Sequence, residues 1–269
     1  EASAQTNGWG KTNYRGHSWV ENASRPFEIT KGLHGRHLSL WASHGMYYDA
    51  EKLTWKWQRP NLFCTTEDLY TQTIVVPYLM KMLENAGANV FSPRERDWQK
   101  NEYIVDNNTH TAPYFIHDAK WIPTTTKGFA MHQGVYYDGE NPFTAGTALM
   151  TKSTKRKSSV STTSYQPNII EEGRYAVYVS YQSTPESVQD AQYLVYHKGQ
   201  CTEYRVNQQM GGGTWVYLGT FDFDEGNNDR NCVILDNLSE RDGIVTADGV
   251  RFGGGMGNIA REGEVSLLP

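Results

Sequence analysis

Hydrophobic and polar positions divide the chain into two stretches of different periodicity. Up to about residue 118, apolar runs alternate between strand-like and helix-like spacing. Leu38-Ser39-Leu40-Trp41-Ala42 reads as part of a buried strand over residues 37–43. Residues 66–86 carry Leu69, Val76, Met80 and Leu83 near helical spacing and predict a helix. Thr65 or Thr66 can cap it, and Glu67 and Asp68 suit its positive end. Pro77 should bend the helix in its middle, and Gly87 is placed to end it. Ala88-Asn89-Val90-Phe91 then returns as a short strand. Strand, helix, strand in this order is a βαβ unit with parallel pairing.

Beyond residue 118 the period drops to two. Residues 173–181 and 191–196 alternate, and a Lys198-Gly199-Gln200 turn leads into a strand over 201–206. Further strands are predicted at 214–223, 232–235 and 249–252. Gly, Asn and Asp clusters punctuate them at the spacing of an antiparallel sandwich or jelly roll. The stretch from Lys152 to Ser164 reads as a long loop, with Lys155-Arg156-Lys157 as a solvated face. The predicted architecture is therefore α/β plus all-β: a partial α/β domain (βαβ, parallel sheet) over residues 1–118, an antiparallel β-sandwich over 119–262, and a short tail over 263–269.

Composition narrows the function classes. The chain has 269 residues, 38% of them apolar and 13% aromatic, which supports packed cores and an aromatic-rich surface. A net charge of −5 argues against general nucleic-acid binding. No apolar run approaches the ~18 residues of a membrane-spanning helix. Glu1-Ala2-Ser3-Ala4 is not a signal peptide. Three cysteines, Cys64, Cys201 and Cys232, without CxxC spacing, make neither a disulfide framework nor a cysteine zinc knuckle. Cys201 and Cys232 read either as a bridged pair or as two small buried hydrophobes.

Candidate chemistry lies in the first stretch. His44, in Ser43-His44-Gly45, follows the predicted strand 37–43, and Glu67 opens the next helix. A histidine at a strand's carboxyl end and a carboxylate at the following helix's start can meet in one crevice. Imidazole and carboxylate suit catalytic zinc, which takes three protein ligands and keeps one position for water. Each residue alone reads more simply, as a hydrogen-bonded histidine and a helix-start acid.

Ser43-His44-Gly45, Thr65-Thr66-Glu67-Asp68, Leu83-Glu84-Asn85-Ala86-Gly87 and Arg94-Glu95-Arg96-Asp97 together resemble a divergent branch of the zinc-dependent N-acetylmuramoyl-L-alanine amidases. The resemblance implies His44 and Glu67 as metal ligands and Arg94 at the rim of a substrate groove. It implies zinc as cofactor and hydrolysis of the amide between the muramoyl lactyl group and L-alanine in peptidoglycan. The third ligand and the general base are not placed. His110, His117, His132 and His197 each read as surface or satisfied histidines, so weak zinc occupancy, or none, is expected in this chain.

Asn141-Pro142-Phe143, residues 173–179, Asp190-Ala191-Gln192-Tyr193, Gly213-Thr214-Trp215 and Ala247-Asp248-Gly249 resemble the β-sandwich module of golvesin-type proteins and xanthan lyases. That resemblance spans about residues 121–261 and implies carbohydrate binding. Trp215 reads as core rather than as a sugar platform, as do the Tyr175/Val177/Val179 and Tyr193/Val195 faces. The two resemblances together imply an amidase domain interrupted by the module, its remainder lying beyond residue 269. They also imply a place in the cell envelope, periplasmic or extracellular. The alternative is a non-catalytic carbohydrate- or surface-binding β-sandwich with a degenerate hydrolase domain.

Overall fold

A computed structural model describes residues 17–42, 44–49, 51–93, 96–97, 99–108, 114–116, 118–131 and 139–254. Three antiparallel sheets form its larger part. The widest runs in the order Val20–Asn22, Gln200–Val206, Ala191–His197, Cys232–Asp236, Thr162–Tyr165, Tyr114–Ile116. A four-stranded sheet runs Val216–Phe223, Gly173–Val179, Gly249–Gly253, Glu102–Asp106. Ile122–Gly128, Gly146–Lys152 and Ile244–Ala247 make the third.

Alternation decides what these sheets bury. Tyr175, Val177 and Val179 of one sheet and Tyr193, Val195 and Leu235 of another enter a common core and are at most 1% exposed. Apolar faces of facing sheets exclude water most completely when they meet each other, and the result is a β-sandwich. The Lys198-Gly199 turn has positive φ at both residues, 48° and 78°, the twist that closes a two-residue hairpin.

The sandwich also draws strands from ahead of residue 118. Val20–Asn22, Glu102–Asp106 and Tyr114–Ile116 all pair with sandwich strands. Elements of three to five residues carry too few alternations to stand out in a sequence, so a boundary at 118/119 falls inside the sandwich's own sheets. Between Lys152 and Ser164, where the sequence reads as a loop, the strand Gly146–Lys152 ends and Thr162–Tyr165 begins.

The βαβ unit forms as the periodicity predicts. His37–Ser39 pairs in parallel with Asn89–Phe91. The strand is shorter than residues 37–43, so His44 lies in the connection beyond it rather than at its end. Two hairpins follow, Met46–Asp49 with Thr54–Trp57 and Asn61–Leu62 with Thr65–Thr66. Thr66 then caps the helix, its Oγ1 accepting from Leu69 N–H at 3.2 Å. The rod runs as α over Glu67–Ile74, π over Val75–Leu79 and α over Met80–Asn85. Pro77 has no N–H to give, and the wider π turn is the local form its disturbance takes. Gly87, at φ +100°, lies just past the helix's end. Among the described residues the parallel sheet goes no further than this pair, and an amidase-like domain is not shown by it.

Sheet register settles the cysteine question. Tyr196 stands directly opposite Cys201 on one side and Cys232 on the other. The two sulfurs therefore belong to strands separated by an intervening strand, roughly twice the ~4.8 Å strand spacing apart, too far for a disulfide. Cys201 is exposed rather than buried. Burial pushes the Cys232 thiol up to about 11. In the folded chain, iodoacetamide should alkylate Cys64 and Cys201 and reach Cys232 only after denaturation, as read by peptide mass spectrometry. A cross-linked peptide joining Cys201 to Cys232 would contradict the register.

Candidate functional site

The two predicted zinc ligands do come together. His44 Nδ1 lies 3.8 Å from Glu67 Oε1 and 3.6 Å from Asp68 Oδ1. Helix capping at Thr66 aims both carboxylates back toward the connection, and Gln72 Nε2 holds the His44 carbonyl at 3.1 Å. Asp68 is fully buried; one oxygen accepts from Arg59 N–H at 2.8 Å and Oδ1 has no hydrogen-bond partner. Asp68 and Arg59 are the residues that sequence reasoning missed here. Arg59 sets its guanidinium against both imidazole nitrogens, Nη2 2.9 Å from Nε2 and Nε 3.4 Å from Nδ1. A guanidinium keeps its charge at any relevant pH and offers only donors, so it holds the imidazole lone pair that a metal would need. Among the described residues no three His, Cys, Asp or Glu side chains are arranged to hold a metal. As arranged, the donor set is a cluster with the Arg59 guanidinium seated on the imidazole, and zinc would require Arg59 to leave.

The remaining candidates are scattered. Arg94, His110, His117 and His132 lie outside the described residues. His197 ends a sandwich strand, where its Nε2 meets Thr202 Oγ1 at 3.0 Å and burial lowers its pKa. Asp97 is buried and accepts from Ala176 N–H at 2.8 Å, so it faces the sandwich.

A different site lies where the βαβ unit meets the sandwich. A cleft of about 300 Å³ opens between the segment at residues 18–34, the strand Asn89–Phe91 and the sheet residues around Tyr217. That volume is at the lower end of small-molecule sites, ~300–1,000 Å³. Arg96, absent from the sequence-derived site, forms its floor. Its Nη1 reaches Glu84 Oε1 at 2.5 Å and its guanidinium lies 4.1 Å from the centre of the Tyr217 ring. Its backbone N–H donates to Tyr178 Oη at 2.9 Å. The Arg96 Nε has no partner.

Trp19 stands on another wall, its ring centre 5.3 Å from that of Phe91. Its indole N–H donates to Tyr181 Oη at 2.9 Å. It packs so closely on Gly211 that a Cβ there would come within 2.2 Å of its ring. Gly211, at φ +74°, thus meets both the conformation and the space that only glycine satisfies.

A second cavity, about 510 Å³, adjoins the first through Trp215, Tyr178 and Ser92. Trp215 is half-buried, with Phe129 and Phe143 at 4.9 and 5.4 Å between ring centres, and its indole N–H has no partner. The sequence reading of Trp215 as core holds for its ring contacts, but the residue also walls both cavities. Behind it, Asp248 accepts from Phe129 N–H at 2.9 Å and from Ser180 Oγ at 2.9 Å. Burial pushes the Asp248 carboxyl up to about 6, against the help of those hydrogen bonds.

Antiparallel sheets around an aromatic core, with polar-rimmed cavities at the edge, define the β-sandwich class. The Golvesin C-terminal domain model matches residues 103–254, more than half of the chain, and the chain belongs to that family. It is 33% identical over 88 residues to a xanthan lyase of Bacillus sp. (strain GL1), a match covering 33% of this chain and 10% of that one. A solved structure of Paenibacillus xanthan lyase is similar at 23% identity and a TM-score of 0.44, covering 57% of this chain and 13% of that one. The chain thus spans about a tenth of the length of the curated relative it matches.

An acid whose folded pKa lies above its ordinary 3.8 holds its proton more tightly in the folded chain, so its burial costs stability as pH rises from about 4 to above 6. Asp248→Asn keeps the shape and removes the charge. Its melting temperature relative to the parent should shift upward between pH 4 and pH 7; a difference that stays constant or falls across that window would contradict the buried-carboxyl assignment.

Proposed function

We propose that this chain is a glycan-binding β-sandwich module of an envelope or extracellular protein, acting by recognition rather than by chemistry of its own. The observation that carries the reading is the junction cleft, where aromatic side chains and polar groups of both charges share one cavity. Sugar rings offer apolar faces that pack on aromatic rings and hydroxyl edges that both donate and accept hydrogen bonds. Family membership supports the same reading, and so does the name of the relative, a lyase of the polysaccharide xanthan. Peptidoglycan is one glycan within this class. No helix among the described residues is long and apolar enough to cross a membrane. In a sedimentation assay the chain should be retained by insoluble peptidoglycan or by another insoluble polysaccharide, and be released by soluble fragments of the same polymer. Absence of retention across a broad polysaccharide panel would defeat the reading.

A second reading, zinc-dependent amide hydrolysis of peptidoglycan, is favoured by one observation: the convergence of His44, Glu67 and the unpartnered Asp68 Oδ1. Bound zinc would supply an activated water there. On this reading Arg59→Ala gains zinc affinity that the further change His44→Ala removes, as measured by calorimetry. Arg94, at the rim that the amidase resemblance implies, would contact substrate. Zinc binding by neither variant, or by both equally, would end this reading.

A further inference from the structure

We infer that the junction cleft is a composite site for a neutral, hydroxyl-rich glycan, one wall of it being supplied by the segment at residues 18–34. This rests on the glycan-binding reading and assigns it a place and a ligand class.

Three observations lead there. First, the N-terminal segment is built into the sandwich. Val20–Asn22 pairs with Gln200–Val206 as the edge strand, and Val20 N–H donates to Asn89 Oδ1 at 3.1 Å. Asn207 N–H donates to the Trp19 carbonyl at 2.9 Å. These bonds fix the chain from Trp19 to Asn22 so that the following residues reach the mouth of the cleft. There Phe27 is 63% exposed, with the Arg25 guanidinium 5.6 Å from its ring centre. A large apolar ring held at a cavity mouth and left to solvent is a platform for the apolar face of a ring-shaped ligand.

Second, the charges lining the cleft favour a neutral ligand. Glu21, Glu28 and Glu84 line the cleft together with Arg25 and Arg96, three carboxylates to two guanidinium groups. Arg96 is already bonded to Glu84, which leaves two carboxylates and one guanidinium at the mouth. An acidic sugar entering here meets like charge, whereas hydroxyl groups can bond to either sign without a desolvated charge of their own.

Third, buried donors remain. The Arg96 side chain is 6% exposed, and its Nε and the Trp215 Nε1 are both enclosed and without partners. A buried N–H without a partner keeps the cost of its lost hydration. An acceptor oxygen brought into the cleft by a small shift of either side chain relieves that cost. The same acceptor role suits a hydroxyl or ring oxygen.

The test is calorimetric titration of the full chain with a panel of neutral oligosaccharides of gluco, manno, galacto and xylo configuration, and with oligogalacturonate as the acidic probe. A neutral member should bind, and oligogalacturonate should bind more weakly. Phe27→Ala should weaken the neutral ligand about ten-fold at unchanged melting temperature. Ile170→Ala, an exposed apolar change outside the cleft, should leave binding as it is. Glu21→Gln with Glu28→Gln should narrow the gap to oligogalacturonate. If a glycan binds and neither Phe27→Ala nor the glutamate variants alter it, the location is wrong while the glycan reading stands. Oligogalacturonate binding the parent as tightly as the neutral ligands overturns the charge selection. If no glycan binds the parent chain, the underlying reading falls with it.

Discussion

The structure depends on one buried guanidinium. Arg96 leaves the short strand Asn89–Phe91 and inserts between Glu84 of the helix and Tyr217 of the sandwich. A guanidinium out of water is held in place by the partners its donors and its flat faces find. Here Glu84 takes one donor and the Tyr217 ring takes a face. The backbone on either side is fixed too, Arg96 N–H to Tyr178 and Asp97 to Ala176 N–H. The outer face of the four-stranded sheet is therefore closed by the βαβ unit and not by solvent, which is why Ala176 and Tyr178 are buried along with the core-facing Tyr175 and Val177. The same contacts set the width of the cleft, so the packing of the two parts and the presence of a binding cavity have one cause.

The parts of the fold with long, regular alternation were legible in the sequence. Gly173–Val179 and Ala191–His197 appear where the period of two ends and begins, because a half-buried pleated strand demands that pattern. The helix was legible from its spacing, its Thr66 cap and its Gly87 stop. Val20–Asn22 and Glu102–Asp106 were not. Their membership of the sandwich is fixed by partners more than 140 residues along the chain, and nothing local announces such pairing.

The site divides in the same way. The proximity of His44 and Glu67 was legible from the order of elements, although two hairpins separate His44 from the helix start. Arg59 was invisible because it lies between two short hairpins that the periodicity did not predict. The charged run at residues 94–97 was visible, but its target was not. The amidase resemblance implied Arg94 at a groove, while the described contacts belong to Arg96 and Asp97, which face strands about 80 residues away. Trp215 shows the limit of classing an aromatic as core or platform: its ring edges pack on Phe129 and Phe143 while its remaining surface walls a cavity.

The central claim is that recognition occurs at the seam between the N-terminal segment and the sandwich. Hydrogen–deuterium exchange with and without a saturating neutral oligosaccharide tests it most directly, because it reports position without requiring a variant to fold. The account predicts slowed exchange in two separated stretches, residues 18–34 and residues 215–219, upon binding. Protection confined to the sandwich away from Tyr217, or to the neighbourhood of His44 and Glu67, would contradict it.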